Sequence, residues 1–199
     1  TEETLKGLGY KDPVRVTELV RGWYAGRYRA TRSDRAQALM NRLIPELLVA
    51  VGRTADPDAA LLRLDKFLAG LPSGVQIFSL FAAHPELFAV VAEIMGSAPR
   101  LADYLAQRPE LFDAMLGSDF FSHLPEPKQL RALFDRRLGM EQDYEGALDA
   151  ARVVTNEVKF QANLQLLRGT RPVQAICAAL SDLAEAAIGA LLPRVQDEF

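Results

Sequence analysis

Apolar residues along this chain recur at steps of three and four, and proline-led starts punctuate them. Leu61, Leu64, Phe67 and Leu68 form one stripe, and Ile77, Leu80 and Phe81 form another. That spacing puts side chains on one face of an α-helix. A longer run from Asp143 to Arg168 carries Tyr144, Leu148, Ala151, Val154, Val158, Ala162 and Leu166. A second line through Val153, Phe160, Leu164 and Leu167 widens its apolar face. The pattern predicts a long central helix with Leu148, Val158 and Leu166 buried on one face. After Pro172 it returns with Val173, Ile176, Leu180, Leu183, Ile188, Leu191 and Val195. No alternating β-branched run bounded by turn residues occurs. The expected fold is all-α, a multi-helix bundle of antiparallel helices with short Pro-started helical hairpins.

The helix starts are legible one by one. Proline follows a polar or small residue at Asp12-Pro13, Asp56-Pro57, His84-Pro85, Ala98-Pro99, Arg108-Pro109, Glu126-Pro127 and Arg171-Pro172. It fits the first helical turn, where its missing N–H would have no partner. Asp58, Glu86 and Glu110 follow three of these prolines, at the positive end of the helix dipole. Pro85-Glu-Leu-Phe88 recurs as Pro109-Glu-Leu-Phe112, which reads as local reuse of a good helix start, since two copies fall short of a solenoid. The expected organisation is one helical domain over residues 1–199, divisible into a short-helix region 1–125 and a long-helix pair 126–199. The chain begins at Thr1, and its last apolar pattern runs past Pro193 to Phe199 without a glycine cap. The start reads as either processed or cut from something longer, and the end as truncated.

Composition narrows the function classes. The chain is 49% hydrophobic and 25% charged, with a net charge of -3, a globular profile that nothing points towards nucleic acid. Cys177 is the single cysteine, which excludes an internal disulfide and suits a reducing, cytoplasmic compartment. No stretch reaches the ~20 uninterrupted apolar residues of a membrane span, so no membrane partner is expected. His84 and His123 are too few for a His-rich metal site. His84 reads as a helix-boundary residue and His123 as a loop residue, neither beside a Ser or Cys nucleophile. Cys177 is expected to pack in the core beside Ile176 and Leu180.

Three strings invite a chemical reading. Gly117-Ser118-Asp119 is like the Gly-Ser opening of nucleotidyltransferases, whose two alternating carboxylates on a strand hold Mg²⁺. Here Phe121 stands where the second carboxylate belongs, so a turn that ends one helix and caps the next explains the string. Asp56-Pro57-Asp58 has the right carboxylate spacing, but it reads as a helix N-cap. The third is a basic-aromatic cluster, Trp23, Tyr24 and Tyr28 with Arg27, Arg29, Arg32 and Arg35. Arg27, Arg29 and Arg32 are the candidate partner or interdomain contact, because guanidinium groups bind oxyanions bidentately; a solvated connector is the alternative. The three recur too closely for one helical face, so a turn near Thr31 is expected, with Thr31 or Ser33 capping the helix that follows. No catalytic, cofactor-binding or metal-ligating residue is assigned.

An ordered set of stretches resembles the bifunctional glutamine synthetase adenylyltransferase/adenylyl-removing enzymes. They are Gly26-Arg-Tyr-Arg-Ala-Thr-Arg-Ser33, Ala55-Asp-Pro-Asp-Ala-Ala-Leu-Leu-Arg-Leu-Asp65 and Leu71-Pro-Ser-Gly-Val-Gln-Ile-Phe-Ser-Leu80. Gly96-Ser-Ala-Pro-Arg-Leu101, Leu166-Leu-Arg-Gly169 and Leu180-Ser-Asp-Leu-Ala-Glu185 continue it. The resemblance implies the helical region that precedes the adenylyltransferase catalytic domain. It implies a parent enzyme with two nucleotidyltransferase halves, one moving AMP from ATP to a tyrosine of glutamine synthetase, the other removing it by phosphorolysis. ATP and Mg²⁺ would then belong to the parent's catalytic domains, and glutamine synthetase and a PII signal protein would be its partners. The family's paired-aspartate motifs have no counterpart here, so no catalytic residue carries over. Val153-Val-Thr-Asn156 and Ala162-Asn163 depart from the arginine-rich run expected in the long helix. The rival readings are a free-standing helical interaction scaffold and a helical domain sensing a small molecule such as glutamine.

Overall fold

The computed structural model describes all residues except Pro109, Glu110, Ser118, Asp119 and Phe199, together with the backbone alone of Asp113. Among the described residues there is no strand. The chain divides into two compact units, Thr1–Phe112 and Asp113–Phe199.

In the first unit α1 (Glu2–Gly7) and α2 (Pro13–Tyr24) lead through a 3₁₀ turn (Arg29–Thr31) into α3 (Asp34–Gly52). There follow α4 (Pro57–Gly70), α5 (Val75–Ala83), α6 (Glu86–Ser97) and α7 (Pro99–Gln107). The prolines act as expected at α2, α4 and α7, where each occupies the first helical position. Asp12 and Asp56 cap α2 and α4 by accepting from Arg15 N–H at 3.0 Å and Ala59 N–H at 3.2 Å. The Asp56-Pro57-Asp58 string is thus a helix start. Asp58 adds a second use, accepting from the backbone N–H groups of Lys11 and Asp12 and holding the α1–α2 turn against α4. His84 ends α5, and α6 begins one residue after Pro85. Pro109-Glu110 lies outside the described residues.

α3 packs on α5 and α6, and α4 on α6 and α7. Met40, Leu43, Ile44 and Leu47 meet Leu64 and Leu68 there, with Phe78, Phe81 and Phe88 closing the core. Phe81 stacks at 4.9 Å on Phe88 and edge-on at 5.3 Å on Phe112. Each such side chain stabilises the fold by roughly 1.5–3 kcal/mol on burial, so this aromatic cluster dominates the unit.

The short helix α8 (Leu111–Met115) lies at the division between the units. Gly117 sits in the turn after it, with its N–H bonded to Ala114 O; the remainder of Gly117-Ser118-Asp119 lies outside the described residues. The next helix starts only at Pro127, where Glu126 and Gln129 cap it reciprocally, so the Gly117 turn does not cap it.

The second unit holds α9 (Pro127–Leu138), α10 (Tyr144–Leu167) and α11 (Val173–Glu198). Arg194 near the end of α11 donates to Leu138 O at the end of α9, 2.8 Å away. Five-residue connections reverse the chain twice, so α10 runs antiparallel to both neighbours. Leu130, Phe134 and Leu138 of α9, Ala147, Ala151, Val154 and Val158 of α10, and Leu183 and Ala186 of α11 form the core.

Two burial expectations are corrected here. Val158 is buried, but Leu148 and Leu166 are each 38% exposed. Leu148 and Leu166 are separated by whole turns and share a line, while Val158 lies about 80° round the helix from it. The helix buries the Ala147–Ala151–Val154–Val158 line instead, so Leu148 and Leu166 flank the seam. On α11 Ile176 and Leu183 are buried, whereas Val173, Ile188 and Cys177 are exposed. Cys177 follows Ile176 by about 100° of rotation, which turns it away from the core.

α11 continues through Pro193. By length and composition alone it could cross a membrane, with a window of mean hydropathy 1.7 of which only 17% is buried here. Asp182 and Glu185 interrupt its apolar run. Each carboxylate costs about 2.5–3.5 kcal/mol near a bilayer centre, an opposing term that length and mean hydropathy do not weigh.

Candidate functional site

The basic-aromatic segment between α2 and α3 is built as a rigid corner. α2 ends in a Schellman arrangement: Gly26 N–H bonds Trp23 O, Arg27 N–H bonds Gly22 O, and Gly26 has φ +70°. Glycine adopts that left-handed conformation without a Cβ penalty. The Arg29–Thr31 turn follows, with Thr31 Oγ1 donating to Tyr28 O at 3.2 Å. Ser33, not Thr31, caps α3, its Oγ accepting from Ala36 N–H at 3.2 Å. Gln37 Nε2 reaches back to Tyr24 O at 3.1 Å.

The aromatic members do not sit together on the surface as the sequence suggested. Trp23 is fully buried, Tyr28 half-buried and Tyr24 exposed. Trp23 Nε1–H donates to Asp65 Oδ1 of α4 at 2.7 Å, and the Tyr28 hydroxyl donates to the same carboxylate, 2.9 Å from Oδ2. Two donors on one anion make a strong knot, since hydrogen bonds to ionised acceptors exceed neutral ones. Burial raises the Tyr28 pKa, and the bond to Asp65 and its charge raise it further against the opposing Arg27. The phenol therefore stays a donor at neutral pH.

Asp65 carries no signal of this role in isolation. A carboxylate one position from Leu64 in an apolar stripe does call for a partner, but not for these two. Gly74 is the other unforeseen support. A Cβ there would run into the Ala30 carbonyl and the Phe78 ring, so only glycine lets the corner seat on the start of α5.

Arg27, Arg29, Arg32 and Arg35 are all exposed. Arg27 lies 5.8 Å from the Tyr28 ring centre, and Arg32 Nε donates to Gly26 O at 3.3 Å. Among the described residues, none of the four has a carboxylate within ion-pair distance. The corner thus presents guanidinium groups with free donors on a braced backbone.

A second feature lies in the second unit. A cleft of about 590 Å³ opens between the Phe120–Pro125 segment and α9, lined by Phe120, His123, Gln129, Leu133, Arg136 and Gln161. Gln161 and Gln165 both donate through Nε2 to the carbonyls of Phe120 and His123, at 2.7–3.1 Å. These two side chains brace the loop. Gln165 is fully buried, and among the described residues its Oε1 has no hydrogen-bond partner. Ser122 Oγ lies 2.8 Å from His123 Nδ1, so the histidine does have a serine neighbour, contrary to expectation. Both residues are exposed in a loop, and among the described residues no carboxylate bonds the imidazole, so the orienting third member of a triad is missing. Among the described residues no three His, Cys, Asp or Glu side chains gather as metal ligands.

The sequence profile of the glutamate-ammonia ligase adenylyltransferase family matches residues 88–198. The chain is similar, at 42% identity over all 199 residues, to the bifunctional glutamine synthetase adenylyltransferase/adenylyl-removing enzyme of Mesorhizobium japonicum. It is 40% identical over 198 residues to the enzyme of that name from Rhizobium meliloti, and 41% over 193 residues, 97% of the chain, to that of Caulobacter vibrioides. In each case the chain spans about a fifth of the relative's length, 20%, 20% and 19%. No solved structure matches.

Proposed function

The chain belongs to the glutamate-ammonia ligase adenylyltransferase family, and from that premise we propose that it is a non-catalytic helical segment of an enzyme controlling glutamine synthetase by adenylylation and deadenylylation. The observation that carries the reading is the match along the whole chain to such enzymes, on an all-helical fold without converging carboxylates among the described residues. Adenylyl transfer needs ATP phosphates held by a metal between paired carboxylates. In this reading ATP and Mg²⁺ belong to the parent enzyme's catalytic domains.

In this proposal the helices act in the cytoplasm as a spacer beside the transferase domain and relay the binding of partners, a PII signal protein among them. Arg27, Arg29 and Arg32 form a contact surface for that role. The test compares the isolated segment with the intact enzyme, each given labelled ATP, Mg²⁺ and glutamine synthetase. Transfer is expected from the intact enzyme only; AMP transfer proportional to the amount of segment would overturn the reading.

The cleft beside His123 favours a second reading, a small-molecule sensor, because it combines an apolar wall with Arg136 and two amides. Calorimetry of the segment with glutamine separates the two, since heat of binding supports the sensor and its absence supports the spacer.

A further inference from the structure

We propose that the exposed face of α11 is the seat of an adjoining domain of the same polypeptide, which covers it with an apolar surface edged by basic residues. This rests on the function proposed above and names the surface on which the helical segment meets the rest of its enzyme.

The face itself is the first argument. Val173, Cys177, Ser181, Ala184, Ile188 and Leu192 recur at steps of four and three along α11, and all six are exposed. Val173, Ile188 and Leu192 are each more than half exposed, while the other side of the helix packs on α9 and α10. No charge falls on this line. A solvated face reads differently in the same unit, where Lys128, Arg131, Glu145, Asp149, Arg152 and Lys159 stand at exposed positions of α9 and α10. Single exposed apolar residues are ordinary, but an uncharged line over about five turns marks an interaction surface.

Gly189 is the second. A Cβ there would meet nothing within 4 Å, and its φ is not positive. Glycine weakens a helix interior relative to alanine, and none of the described residues requires it here. Beside the small side chains of Ala178, Ser181 and Ala184, it leaves a shallow floor that another backbone can approach closely.

Charge and tethering select the occupant. α11 carries Asp182, Glu185, Asp197 and Glu198 against Arg194 alone. A second copy laid along this face would set like charges together, which is costly. The same acids oppose an anionic lipid surface and insertion into a bilayer. A diffusing protein leaves the face wet between encounters, an aggregation hazard, and an uncharged line gives it no field to follow. A domain on the same polypeptide covers the face throughout, at an effective concentration on the order of millimolar. The relatives matched along this whole chain are about five times its length, so in them such polypeptide accompanies every copy of the segment.

Cys177, the single cysteine of the chain, stands on the line and reports its cover. N-ethylmaleimide is applied to the segment and to the intact enzyme, and the Cys177 peptide is followed by mass spectrometry. Alkylation is expected to be at least about tenfold slower in the intact enzyme, at a rate that dilution leaves unchanged. Gly189→Leu is the second arm. It should leave the melting temperature of the segment in place, since the space there is open, and restore Cys177 reactivity in the intact enzyme. Equal reactivity in segment and enzyme would overturn the proposal, as would a Gly189→Leu enzyme in which Cys177 stays protected. Protection that dilution of the enzyme removes, or that grows with concentration of the segment alone, overturns it in favour of a diffusing partner or a second copy. Equal reactivity with AMP transfer confined to the intact enzyme overturns this surface alone. AMP transfer by the segment itself overturns the underlying function as well.

Discussion

Replacing Asp65 by alanine removes the acceptor that two aromatic side chains share. Trp23 is fully buried, so its indole N–H would lose its 2.7 Å bond inside the fold. An unsatisfied buried donor costs about 1–3 kcal/mol. The Tyr28 hydroxyl is half-buried and can rehydrate, so its lost bond adds only about 0.5–1.5 kcal/mol. The sum predicts a loss of roughly 1.5–4.5 kcal/mol for Asp65→Ala. Asp65→Asn keeps one carbonyl oxygen for Trp23 and should cost about 1 kcal/mol, the difference between a charge-assisted and a neutral bond. Trp23 is the only tryptophan, so urea unfolding followed by its fluorescence reports on this corner directly. Asp65→Ala should lower the midpoint and shift the native emission to the red. A double-mutant cycle with Tyr28→Phe then isolates the coupling between the two residues. If Asp65→Ala stays within ~0.5 kcal/mol, the range of ordinary surface changes, and native emission does not move, the knot does not hold the corner.

The helix seam in the second unit makes a second prediction: Phe134→Ala should cost about 3–5 kcal/mol, while Leu166→Ala, 38% exposed at the flank, should stay below ~1.5 kcal/mol. Equal losses in urea titrations of the two variants would place the seam wrongly. Alkaline pH makes a third. Burial raises the pKa of Tyr10, whose hydroxyl donates to Leu48 O, and of Tyr28. The folded state therefore holds protons that the unfolded chain releases above pH ~10. Stability from these groups is complete below that value and falls as pH rises through it. Urea midpoints measured from pH 8 to 11 should drop at the top of the range, and less steeply in Tyr10→Phe.

Helix starts and fold class were legible because their causes are local. Asp12, Asp56 and Ser33 bond to N–H groups three residues on, and proline needs only its own ring to suit a first turn. The apolar stripe of α4 was read correctly, since Leu61, Leu64, Phe67 and Leu68 are all buried. The stripe of α10 was read with the wrong edge. Apolar residues occupy more than one line of that helix, and composition cannot choose which line meets α9 and α11. Only the neighbours decide it, which is why Leu148 lies at the flank and the smaller Ala147 in the seam.

The arginine corner divides in the same way. Its residues, the turn at Arg29–Thr31 and a cap just beyond it followed from local spacing and propensity. What holds it came from afar in the chain: Asp65 lies 42 residues from Trp23 and 37 from Tyr28, and Gly74 meets the Ala30 carbonyl from the start of α5. A short stretch of sequence specifies the φ/ψ preferences and caps of its own backbone, because those energies arise within a turn or two. Which carboxylate accepts from a buried indole, and which glycine must lack a side chain, are settled only when packing brings distant segments together. Tertiary structure thus made a rigid positive surface out of what the sequence presented as four closely spaced arginines.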